Sequence, residues 1–254
     1  MRSLLPLLFL LTACGAPPAS PPAIDPGYVR SDGLPGRGMI AFTLPTDGAP
    51  GDFFDTPWPS ERRRRGGRPD LEGFPGSEHF ALRGIVGEIA SEIRGFSVSP
   101  VVYMKTVDVG RGVFERAIED GKVRLVDVDP TSPDRGRRHR LRFRFHDHAT
   151  RYVSEGLLAV RPELPLVEDR LYAVVVEREL PGHGVLATPR DFERVKNTMP
   201  RIDPEEEAAR QSLVVTLDYL EATGLPRRDV AALTVFRTQS VVDPMRKMVE
   251  VADS

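Results

Sequence analysis

The chain has 254 residues, with 35 lysines and arginines against 37 acids, for a formal charge of −2. Such a balance gives no global electrostatic pull toward nucleic acid or any other polyanion. The single cysteine, Cys14, excludes an intrachain disulfide framework. In chain order the first element is apolar, Leu4 to Leu11 behind Arg2. About ten apolar residues are too few to cross a bilayer core of roughly 30 Å as a helix. The run therefore reads as an export signal, not an anchor.

The next four residues, Leu11-Thr12-Ala13-Cys14, resemble the lipobox of bacterial lipoproteins at every position. The resemblance implies a signal peptide over 1–13, cleavage between Ala13 and Cys14, and lipid on the Cys14 thiol and its freed amine. One acyl chain holds a protein only marginally. Mature lipoproteins of this kind carry several, which makes attachment permanent. Gly15 in place of an acid favours the outer membrane, by analogy with enteric lipoproteins. Residues 14–37 then form a lipidated tether, because Gly15 to Pro26 is rich in proline and alanine and has no apolar period.

Residues 38–242 read as one β-rich domain with inserted helices. Gly38 to Leu44 is a first strand. Phe53 to Arg65 follows, where Pro57 and Pro59 bar a central strand and favour an extended edge. Trp58, Phe53 and Phe54 pin this segment to the body by their aromatic area. Arg62 to Arg65 read as a solvated loop, with an anionic surface as the competing use. Ser77 to Arg94 reads as a helix capped by Ser77, with Leu82, Ile85, Val86, Ile89 and Ile93 as its buried stripe and Gly95 as its stop.

Strands are then expected at Val98–Thr106, Lys122–Val128, Arg138–Phe145, Leu157–Val160 and Arg170–Glu177. In the third, Leu141, Phe143 and Phe145 alternate with Arg140, Arg142 and Arg144, so one face is wet and the sheet antiparallel. Asp203, Pro204 and Glu205–Glu207 open a long helix to Thr223, with Ala209, Leu213, Leu217 and Leu220 along one face. A short helix precedes it, and Leu233–Thr238 is the last strand. Residues 243–254 read as a helical tail. Successive strands without sustained βαβ alternation predict a mainly β, antiparallel Ig-like sandwich with a long helix before the last strand. A Rossmann-like or hydrolase-like α/β fold is the competing expectation.

The chemistry-bearing residues are few. Gly95-Phe96-Ser97-Val98-Ser99 lacks the second glycine of a nucleophile elbow. No phosphate loop, dinucleotide fingerprint or zinc helix is present. His146 and His148 lie two apart on a strand and could share an ion with His139, but no third ligand stands at a standard spacing. Asp127, Asp129, Thr131 and Asp134 alternate as calcium ligands would, without the glycine and glutamate an EF-hand requires. An Asp/Ser/Pro turn is the ordinary reading. The expectation is therefore no catalytic set, metal or cofactor, and no nucleic-acid partner.

The succession Phe53-Phe54-Asp55-Thr56-Pro57-Trp58-Pro59-Ser60, a helix leading to Gly95-Phe96-Ser97, Leu125-Val126-Asp127, and later Thr234 to Ser240 resembles the N-terminal module of bacterial virulence-factor lipases and related surface lipoproteins. The resemblance spans residues 38 to 245. It implies a non-catalytic Ig-like docking, adhesion or spacer module with an envelope protein or polysaccharide as partner. In the lipases a C-terminal α/β-hydrolase domain follows; here the sequence stops at Ser254, within a run (Asp243–Val251) that reads as a helix. Either the module stands alone, or it is the accessory half of an esterase in a shortened reading frame.

Overall fold

The computed structural model describes residues 37–45, 52–77, 79–150 and 153–240. The expected signal at 1–13, the expected lipidation site Cys14, the expected tether up to residue 36 and the expected helical tail at 243–254 lie outside them. The fold is mainly β, built from several antiparallel sheets and a few helices.

In chain order, β1 (Met39–Ile40) is followed by the small hairpin β2 (Arg64–Arg65) and β3 (Arg68–Pro69). Then come α1 (Phe80–Glu92), β4 (Val102–Val107), α2 (Arg111–Glu119), β5 (Val123–Asp127), β6 (Arg138–His139) and β7 (Leu141–His146). The rest is β8 (Leu157–Pro162), β9 (Leu171–Glu177), the hairpin β10 (Glu179–Leu180) and β11 (Gly184–Val185), α3 (Arg190–Val195), α4 (Pro204–Ala222) and β12 (Val230–Arg237). One four-stranded sheet runs β1-β4-β8-β7 and the other β12-β9-β5-β6.

Strand alternation gives both sheets an inner face. Val102, Met104, Leu158 and Val160 of the first share one core with Leu125, Tyr172, Val174 and Phe236 of the second. The outer face of the second sheet is apolar as well. Ala173, Val175, Leu233 and Val235 meet Phe192 of α3 and Ala209, Leu213, Leu217 and Leu220 of α4. Burial on both faces is why β9 and β12 are near-continuous apolar runs while β7 alternates.

The expected strand 138–145 is two strands in two sheets. Residues 138–139 pair with β5 and residues 141–146 with β8, so Arg140 is where the chain changes sheet. Alternation cannot show this, because each half keeps its own period of two. Val98 to Val101 stay out of β4, as Pro100 dictates. α2 was not expected: its buried contacts are Phe114 and Ala117, too few to mark an apolar period.

Phe53 to Arg65 lies on the edges, as its prolines require. Trp58 exchanges backbone hydrogen bonds with Tyr103, at 3.0 and 2.6 Å, and extends the β1 edge of the first sheet. Thr234 of β12 donates to the Pro59 carbonyl, and the Arg237 amide donates to Glu61, 2.8 Å. The segment thus bridges the two sheets. Its rings continue into the core, with Phe53 packing on Trp58, Trp58 on Phe96 and Phe96 on Phe236.

Candidate functional site

The residues expected to carry chemistry are not brought together. His139 belongs to the second sheet and His146 to the first. The His139 ring stands edge-on to Tyr172, centroids 5.5 Å apart, with Nε2 buried and unbonded; burial, then Arg137, lower its pKa. Among the described residues no group of three or more His, Cys, Asp or Glu is placed to hold a metal ion.

The Asp127–Asp134 loop has its carboxylates occupied by protein donors. Asp129 accepts the Thr131 amide and hydroxyl at 2.9 and 2.7 Å, the Leu171 amide at 3.1 Å and Arg237 at 3.0 Å. Asp127 accepts the Asp129 amide, 3.0 Å, and the Ser132 hydroxyl, 2.6 Å, with Arg170 at 3.4 Å. Burial pushes the Asp129 carboxyl up, but these bonds outweigh it and leave the group below its ordinary 3.8. The loop ties β5 to β9 and β12.

Arg62 to Arg65 are mostly engaged rather than solvated. Arg62 reaches Glu205 at 3.4 Å, Arg63 lies 4.2 Å over the Phe53 ring, and Arg64 pairs with Glu61 at 2.9 Å. Only Arg65 stands largely in water, beside Asp70. Gly95, where an elbow was sought, is a close-approach glycine. A Cβ there would sit 2.9 Å from the Gln239 backbone. The Ser97 hydroxyl is taken by the Ser99 amide, 3.0 Å.

What the tertiary structure does create is a cleft of about 710 Å³ between the end of α4 and the outer face of the second sheet. Its floor is the β5–β9 surface, with Lys122, Arg124 and Glu177; Arg138 of β6 forms one side. Tyr219 and Leu220 of α4 and Thr223, which caps it, form the other, closed by the 224–229 loop with Arg228. Arg135 lies 4.2 Å over the Tyr219 ring. A Cβ at Gly136, which has φ +93°, would come within 2.7 Å of the Tyr219 hydroxyl. Glycine is needed there for both backbone and space.

Five cationic side chains line the cleft against three carboxylates. Glu177 is shared by Lys122, 2.7 Å, and Arg124. Burial pushes the Glu177 carboxyl up, the two donors more than offset it, and the group stays below its ordinary 4.5; the Glu177 bond in turn raises Lys122. Arg178 is buried, donating to the Leu186 and Arg228 carbonyls, and so braces the rim. Arg138 makes no ion pair or side-chain hydrogen bond among the described residues, and Arg228 is exposed with only Asp229 near it, at 3.9 Å. The arrangement holds positive charge in excess and turns two guanidinium groups toward a concave surface. It suits binding of an anion with two or more oxygens.

Sequence reading missed this site. Lys122 and Arg124 alternate with Val123 and Leu125, a pattern that reads as the solvent face of a strand. Nothing local says that a helix from some eighty residues later roofs them. No family model, curated protein or solved structure matches this chain.

Proposed function

We propose that this chain is a lipid-anchored, non-catalytic module of the bacterial cell envelope, held at the outer membrane through Cys14, that docks an anionic envelope polysaccharide. The reading takes the fold as an Ig-like β-sandwich with α4 inserted before its last strand. The two facing four-stranded sheets support this, as does the edge-bridging Phe53–Arg65 segment, whose residues carry the resemblance to the lipase module. The observation that carries the binding role is the cleft, where Arg138 and Arg228 remain available beside a Glu177 already neutralised by Lys122 and Arg124.

The test uses the full-length chain in detergent with an oligogalacturonate as the polycarboxylate probe. Calorimetry is expected to show binding that weakens about tenfold in Arg138→Ala, since one hydrogen bond to a charged group contributes about 1.5–3 kcal/mol. Equal affinity of parent and variant, or no binding by the parent, overturns the cleft assignment. Turnover of short acyl esters by the same preparation would instead favour the esterase reading. For the anchor, Cys14→Ala is expected to move the protein from the detergent phase to the aqueous phase after signal removal; a processed variant still partitioning into detergent removes Cys14 as the attachment point.

A further inference from the structure

The alternation of exposed and covered residues runs unbroken through the change of sheet at Arg140. From β6 into β7 the exposed residues are Arg138, Arg140, Arg142 and Arg144, while His139, Leu141, Phe143 and Phe145 between them are partly buried. A strand that passes from one sheet to the other without losing its period keeps one set of side chains outward. Arg138, opposite Val126, thus lies on the outer face of the second sheet at the cleft. Arg140 stands at the corner, and Arg142 and Arg144 lie on the outer face of the first sheet. The register sets Arg161 of β8 directly opposite Arg142, and Arg161 is exposed too.

Most of these guanidinium groups have no protein partner. Arg142 reaches Glu163 at 3.4 Å. Arg138, Arg140, Arg144 and Arg161 make no ion pair or side-chain hydrogen bond among the described residues. Like charges directly opposite on a sheet are destabilising, so the fold itself gains nothing from setting Arg161 against Arg142. Charged side chains do blunt an open sheet edge, and β7 is an edge strand. That accounts for Arg142 and Arg144 but not for Arg161, which stands one strand further in, between β7 and β4. On the reading of the cleft as a polysaccharide site, on which this rests, we infer that the bound chain leaves the cleft over Arg138 and Arg140 and continues onto Arg142, Arg144 and Arg161. The ligand is then an extended polycarboxylate, not a single acidic sugar.

The course of this arginine track decides what kind of anion fits it. From Arg138 to Arg144 the strand covers at most about 20 Å, with an outward arginine roughly every 6–7 Å. It turns from the outside of one sheet to the outside of the other. A flat bilayer surface meets one of those faces and leaves the rest in water. A flexible chain of carboxylates follows the turn. Exposed ion pairs contribute only a few-fold each. A short ligand in the cleft gains nothing from the arginines beyond it, whereas a long one meets them in intramolecular steps and gains from several at once.

Calorimetry on the full-length chain in detergent tests this with digalacturonate and with an oligogalacturonate longer than about 20 Å. The parent is expected to bind the long ligand about tenfold more tightly than the dimer. Arg140→Ser, Arg144→Ser and Arg161→Ser together are expected to abolish that advantage and leave the affinity for digalacturonate as in the parent. Arg142 stays in place because of its bond to Glu163. Arg161→Glu alone, which pairs with Arg142 instead of repelling it, is expected to fold as the parent does and to lose part of the advantage. Equal affinity of the parent for the two ligands, or an advantage that both variants keep in full, overturns the track and leaves the cleft reading standing. A triple variant that weakens both ligands equally also overturns the track. Binding of neither ligand by the parent overturns the cleft reading and the track with it. Binding to vesicles of anionic lipid that the triple variant loses, with no advantage for the long ligand, would assign the arginines to a membrane surface and overturn the track as well.

Discussion

α1 and α4 have the same kind of sequence and opposite fates. Each carries aliphatic residues three or four apart, and each is bounded by a residue able to cap it. Yet Leu217 of α4 is 0% exposed and Ile85 of α1 is 54% exposed. Amphipathic spacing states that a helix has a face to bury, not that the described chain buries it. α4 has a docking place because β9 and β12 are apolar on both sides. α1 faces the short β2–β3 hairpin and its loop, which offer too little apolar surface to cover a stripe of this length. The caps differ in the same sense. The Asp203 carboxylate accepts the Glu205 and Glu206 amides, each at 2.9 Å, whereas α1 begins at His79 without a side-chain cap bond, and the Ser77 cap read from the sequence does not form.

The sharpest way to break this comparison is truncation in the two stripes. Leu217→Ala should lower stability by about 2–5 kcal/mol in urea unfolding, the range for a large side chain removed from a packed core. Ile85→Ala should cost under about 1 kcal/mol, because that side chain is already more than half in water. Equal losses would place α1 in the core and end the contrast. A smaller effect comes from acid. The Glu207 carboxyl is held at about 2 by hydrogen bonds from Arg210, the Arg201 amide and Gln211. Its folded-state pKa lies below the ordinary 4.5, so its contribution is complete above that value and is lost as pH falls through about 2. Asp129 and Glu177 are depressed in the same direction. α1 has no acid in its first turn. Between pH 4.5 and 2 the urea midpoint should therefore fall, and Glu207→Gln should flatten part of that slope. A slope identical to the parent's would show that the Glu207 cluster does not stabilise the start of α4.

Much of the architecture was legible because it is local. Asp203-Pro204 with three glutamates opens α4 at the expected residue, and Leu141, Phe143 and Phe145 alternate with arginines along β7 as read. Pro57 and Pro59 call for an edge position, and Trp58 takes one beside Tyr103. Those features depend on backbone geometry and on which side of an element is apolar, and both are written in a few neighbouring residues. The Arg140 switch between sheets, the separation of His139 from His146 and the roof that Tyr219 and Thr223 put over Lys122 and Arg124 are different in kind. Each depends on which distant segment pays the entropy of ordering against which surface, and period-two or period-3.6 patterns carry no address for a partner. The sequence by itself determined most of the helices and strands and the β-rich class. Only the tertiary structure decided which stripe is covered and where positive charge gathers in a cleft, because those outcomes are set by contacts between residues far apart in the chain.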